Sequence, residues 1–116
     1  MSDPGELDLV VKAIKSGLDG CVEWDANVAD RIKLELSRHQ LRLEIVQRAV
    51  IQYVRNGGKV IQHNEDREGW KDRRDYWYHV IVPMTVFPKG LFVELELRNA
   101  DPELPEVGLV NTHEEL

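Results

Sequence analysis

A chain of 116 residues, 42% hydrophobic and 31% charged, has the composition of one soluble globular domain with a single core. Its formal charge of −6 disfavours a broad surface for nucleic acid or anionic membranes, which draw on Lys and Arg. A lone cysteine, Cys21, excludes an internal disulfide, and no CxxC or HxxxH pair offers zinc close-spaced ligands, so neither metal nor cofactor is expected.

The chain opens on a helix start: Asp3 as N-cap, Pro4 at the first helical position and Glu6 reaching back. Leu7, Val10, Val11 and Ile14 recur at helical spacing until Ser16 and Gly17 end the run. Leu18 to Trp24 reads as a connection, at most with a short extended piece over CVEW. Asp25 then caps a second helix with Val28, Ala29, Ile32 and Leu36 inside and Asp30, Arg31, Lys33, Glu35 and Arg38 outside. His39, one turn past Leu36, reads as a partly packed residue bonding a carbonyl at the helix end rather than as a catalyst.

Leu41 to Asn56 is the most regular helix signal, carried by Ile45, Val46, Ala49, Val50, Tyr53 and Val54. Arg55 suits its negative end, and Gly57-Gly58 supply the residue that stops it. Lys59 to Gln62 should begin the sheet, and His63 to Asp75 (HNEDREGWKDRRD) reads as strand tips and a mobile, solvated loop. Tyr76 to Val82 is aromatic and β-branched on both faces, as in an inner strand. A Pro/Gly turn follows, then a strand with Leu91, Val93, Leu95 and Leu97 on one face and Phe92, Glu94, Glu96 and Arg98 on the other. Asn99 to Pro105 turns the chain into a last strand, Val107 to Thr112, and the final HEEL should fray.

The expected fold is one α+β domain over residues 1–116, mostly helical over 1–56 and stranded over 59–113. About three helices should cover one face of a four-stranded, mainly antiparallel sheet, with the Leu91 to Leu97 face at the core. No apolar segment of leader or membrane-spanning length occurs, so a cytoplasmic location and no membrane contact are expected.

Three groups of residues could carry chemistry. Arg67, Trp70, Lys71, Arg73, Arg74, Tyr76 and Tyr78 interleave cations with rings, as phosphate and base binding needs. Glu65, Asp66, Glu68, Asp72 and Asp75 cancel most of that charge, which favours a salt-bridged loop over an RNA patch. His63, His79 and His113 all fall in the stranded half, where convergence would allow acid-base work. Glu94 and Glu96 share a strand face and could share a cation or proton, or simply face solvent.

Helices followed by VRNGGKVIQ, a WYHVIV strand and GLFVELEL give Leu41 to His113 an outline that resembles small bacterial RelE-type and BrnT-type ribonuclease toxins. The resemblance implies a small antiparallel sheet backed by helices, RNA cleavage by basic and aromatic side chains on the sheet, and a neutralising antitoxin partner. Arg67, Lys71, Tyr78 and His113 stand where such residues would be placed, with His79 or His113 handling protons. Whether the chain is an enzyme stays open. The leading reading is a small bacterial binding module that meets a copy of itself or another protein, because Trp24, Trp70, Trp77 and Phe92 are more apolar surface than a small core hides. The alternative is a RelE-like RNA-cleaving toxin or a degenerate relative.

Overall fold

The computed structural model describes residues 4–17 and 21–115; the Asp3 cap expected above lies outside them. In chain order come α1 (Pro4–Ser16), β1 (Val22–Trp24), α2 (Ala26–Ser37), α3 (Leu43–Arg55), β2 (Ile61–Asn64), β3 (Tyr76–Met84), β4 (Phe87–Asn99) and β5 (Glu106–Glu114). Among the described residues the fold is α+β with three helices, and the sheet has five strands instead of four, in the order β1-β5-β4-β3-β2. β1 runs parallel to β5, and the other neighbouring pairs are antiparallel.

The fifth strand is the CVEW stretch, where the sequence allows a short extended piece but gives no sign of its pairing with β5. Three residues are too few to show a period, so its pairing comes from elsewhere: Val107 N–H donates to Cys21 O at 2.8 Å and Asp25 N–H to Leu109 O at 2.9 Å. Sequence pattern reports local structure and is blind to such a distant partner. Asp25 then does cap α2, its Oδ1 accepting from Asn27 N–H at 2.8 Å.

α3 begins at Leu43 rather than Leu41, because Gln40 turns the chain with φ 60°. Its buried stripe is narrower than expected: Val46, Val50 and Val54 are inside, while Ile45 is 44% exposed. The helix stops at Gly57, whose φ of 94° suits a residue without Cβ. Gly58 is needed for a different reason, since a Cβ there would meet the Tyr53 ring at 2.5 Å. β2 follows two residues later than the expected Lys59 to Gln62.

β3 and β4 meet through Thr85 and Val86, so Pro88 and Gly90 belong to β4 and not to a turn. Gly90, with φ 91°, lies close against β3: a Cβ would come within 2.9 Å of Ile81 Cγ2 and 3.1 Å of Val82 O. The register shifts beside it, between Val82 and Met84. The tail is not frayed as far as Glu115, for β5 runs to Glu114 and Glu115 N–H donates to Gly90 O at 3.0 Å.

Leu91, Val93 and Leu95 are buried in the core as their alternation requires, whereas Leu97 is only partly buried. α3 is not their sole cover. α1 lies on β4 and β5 and adds the fully buried Val10, Ala13 and Ile14, while α3 lies on β3 and β1. At roughly 25 cal/mol per Å² of apolar surface, these close-packed side chains are the main source of stability. The other face of the sheet carries the polar side chains.

Candidate functional site on the open sheet face

Alternation on β4 sends Phe92, Glu94 and Glu96 to the face away from the core. Strand register brings their neighbours beside them: His79 next to Glu94, His113 next to Phe92, and His63 on β2 next to Trp77 on β3. The result is two adjoining structures, a ring row and an ionic lattice.

The ring row crosses four strands. Trp77 stacks on His63 at 4.0 Å, His63 lies 4.8 Å from His79, His79 5.0 Å from Phe92, and Phe92 4.5 Å from His113, each as ring-centroid distances. Angles between successive planes are 12° to 22°, so the rings stack as a series. His63 Nε2 and His79 Nδ1 are 2.7 Å apart. Burial, then the Arg67 charge, lowers the pKa of His63; burial, then His63 itself, lowers that of His79. Both imidazoles are therefore biased toward the neutral form.

The lattice is built by the segment between β2 and β3. That segment is largely exposed and salt-bridged, as its mixed charges predict, but Arg67 and Arg74 also reach from it onto the sheet. Arg67 holds Glu65 with two nitrogens at 2.8 and 2.9 Å and Glu94 at 3.0 Å. Arg74 donates to Glu65 at 2.8 Å, to Glu94 at 3.3 Å and also to Glu96. The Glu65 side chain is fully buried, and its bond to Arg67, with a further one to Arg74, holds its carboxyl down at about 2 against the opposing effect of burial. Glu65 and Glu94 in turn raise the Arg67 pKa above its usual value. Each guanidinium also covers a ring: Arg67 is 4.6 Å from the Trp77 centroid and Arg74 4.8 Å from that of Trp70.

Beside the lattice is a cleft of about 520 Å³, closed on its other side by Asn27, Val28 and Arg31 of α2. Arg31 and Arg73 line it with no carboxylate partner among the described residues, whereas Glu94 and Glu96 at the sheet are already engaged.

Several sequence candidates thus meet. Arg67, Trp70, Arg73, Arg74, Glu94 and Glu96 share the cleft, and His79 and His113 flank Phe92 next to it. Three do not join them. Lys71 points outward and pairs with Glu68 at 3.0 Å. Tyr76 packs on the core side, as does Tyr78, which is fully buried with its hydroxyl donating to Glu6 at 2.7 Å and accepting from Gln62 at 3.0 Å. The reading of Glu94 as a solvent-facing carboxylate is also corrected, since it is 7% exposed. Trp24 is no free surface either: it packs against the core and its indole N–H donates to Leu43 O at 3.0 Å. His39 is exposed at the end of α2, its ring edge-on to Phe87 at 4.9 Å.

No family model, curated protein or solved structure matches the chain. The functional argument therefore rests on this geometry. Among the described residues no helix is long and apolar enough to cross a membrane, and no group of three or more His, Cys, Asp or Glu is placed to hold a metal ion. The sequence names Trp77 and Phe92 as apolar surface for binding and Glu65 only as a cancelling charge; that the two rings adjoin the histidines follows from strand register, and that Glu65 anchors both guanidinium groups follows from tertiary contact.

Proposed function

We propose that the protein is a binding module that docks a second copy of itself through the open face of its sheet. The observation that carries this is the row Trp77, His63, His79, Phe92 and His113, half-buried or exposed rings continuous across four strands. Ile61, on the same face beside His79, is 40% exposed and widens the apolar strip. A second copy suits it better than a charged ligand, because the strongest charges on this face are consumed by one another in the lattice. Such a strip offers little electrostatic selectivity, and an isologous contact requires none. Size-exclusion chromatography with light scattering over a concentration series tests this. A dimer is expected, and a monomer at the highest concentration removes the self-association reading.

The second reading is RNA cleavage, favoured by the arrival of His63, His79 and His113 in one row next to Arg67. Against it stands the neutralisation of Arg67 and Arg74 by three carboxylates, since phosphoryl chemistry needs positive potential where charge develops. RNA cleavage assays with and without ribosomes, on wild type beside Arg67→Ala and His113→Ala, separate the two. Equal inactivity of all three proteins ends the ribonuclease reading.

A further inference from the structure

We infer that His63 and His79 form a two-imidazole chelate for a late divalent transition metal ion such as Cu²⁺ or Zn²⁺, with its remaining coordination positions open. The site lies across β2 and β3, where diagonal register points His63 Nε2 and His79 Nδ1 at each other, 2.7 Å apart. In a neutral pair at that separation one nitrogen must donate a proton to the other. A metal ion displaces that proton to an outer ring nitrogen, leaving His63 with its hydrogen on Nδ1 and His79 on Nε2, and sits to one side of the line between the two nitrogens, with both lone pairs turned toward it.

Metal–nitrogen bonds of about 2.0 to 2.1 Å put two ligand nitrogens roughly 2.9 to 3.4 Å apart, so the pair must open by a few tenths of an ångström and each ring must turn within its own plane to converge on the ion. The rings are already held for it. Trp77 stacks on His63 and Phe92 on His79, which fixes both planes before any ion arrives and reduces the ordering cost of binding. The charged groups acting on the pair are mixed: Arg67 opposes a cation at His63, while Glu94 favours one at both rings and Glu115 at His79.

The protein supplies two ligands here and not a closed set, consistent with the lack of any group of three or more donors among the described residues. Water or an incoming ligand would fill the other positions. Neither ring donates its outer nitrogen to a protein group in the described structure, so the site lacks the supporting hydrogen bonds of a high-affinity centre. Affinity should follow the usual order for nitrogen donors, with Cu²⁺ ahead of Zn²⁺ and Mn²⁺ weakest. This inference does not depend on self-association.

The test is titration of tag-free protein with Cu²⁺ and with Zn²⁺ by calorimetry, together with electron paramagnetic resonance of the Cu²⁺ form. Wild type should bind with a resonance spectrum split by two nitrogens. His63→Gln and His79→Gln should each weaken binding roughly tenfold or more, by analogy with losses seen even for outer-shell changes, while His39→Gln, at the exposed end of α2, leaves it unchanged. Circular dichroism of each variant guards against unfolding, and glutamine keeps a polar group at each position. Binding that survives in both His63→Gln and His79→Gln, or no binding by wild type, overturns the inference.

Discussion

The two faces of this sheet are made by different means. On the covered face Tyr78, Val80, Val82, Leu91, Val93 and Leu95 are buried by helices, and each earns its place through apolar burial that needs no particular partner. On the open face Glu94 is almost as buried, yet it is there because Arg67 and Arg74 arrive from another segment to meet it. One face tolerates exchange of similar side chains, and the other depends on specific pairs. Substitutions should separate them.

On the covered face Leu95→Ala should cost about 2 to 5 kcal/mol in urea melts, by lost transfer energy and the cavity left behind. On the open face the sign of the removed charge should matter more than its burial. The lattice sets Glu65, Glu94 and Glu96 against Arg67 and Arg74, so it holds one carboxylate in excess. Arg74→Met strands three carboxylates on one guanidinium and should cost about 3 kcal/mol, whereas Glu94→Gln leaves charges balanced and should cost about 1 kcal/mol. Equal losses would mean that the lattice does not act as a unit.

Acid provides a check confined to the open face. The Glu65 carboxyl is lowered from 4.5 to about 2 in the folded protein, so its contribution is present in full above the unfolded value and is lost as pH falls from about 4.5 toward 2. Wild type should lose urea resistance across that window, and Glu65→Gln should show a shallower loss over the same range.

The smallest effects concern the end of α3. Gly57→Ala should cost about 1 kcal/mol for its positive φ alone, because nothing lies within 4 Å of the added methyl. Gly58→Ala should also destabilise, through the Tyr53 ring, although its φ is unexceptional. Thermal melts of the two variants check both. The sequence alone leads to one damaging and one harmless substitution here, since close approach of a ring is a tertiary fact that spacing does not record.

The same distinction explains what could be read beforehand. Helices α2 and α3 and the Leu91 to Leu95 face follow from local period and caps, which adjacent residues encode. β1 is too short for a period, and the mixed charges of the 65–75 segment show a salt-bridged loop without showing which guanidinium meets which carboxylate. Glu94 and Glu96 were legible as a shared face, but Arg67 and Arg74 as their partners were not. The company of Tyr78 in sequence suggests a site residue, but parity with the buried Val80 places it inside.

The central claim is that the covered face holds the fold while the open face does the binding. Phe92→Lys tests it most directly, since this side chain sits mid-row between His79 and His113. Sedimentation velocity should show the wild-type dimer replaced by a monomer, with the urea midpoint close to that of wild type. An unchanged assembly state with a collapsed urea midpoint would contradict the account, for Phe92 would then belong to the fold and the ring row would not be a docking surface.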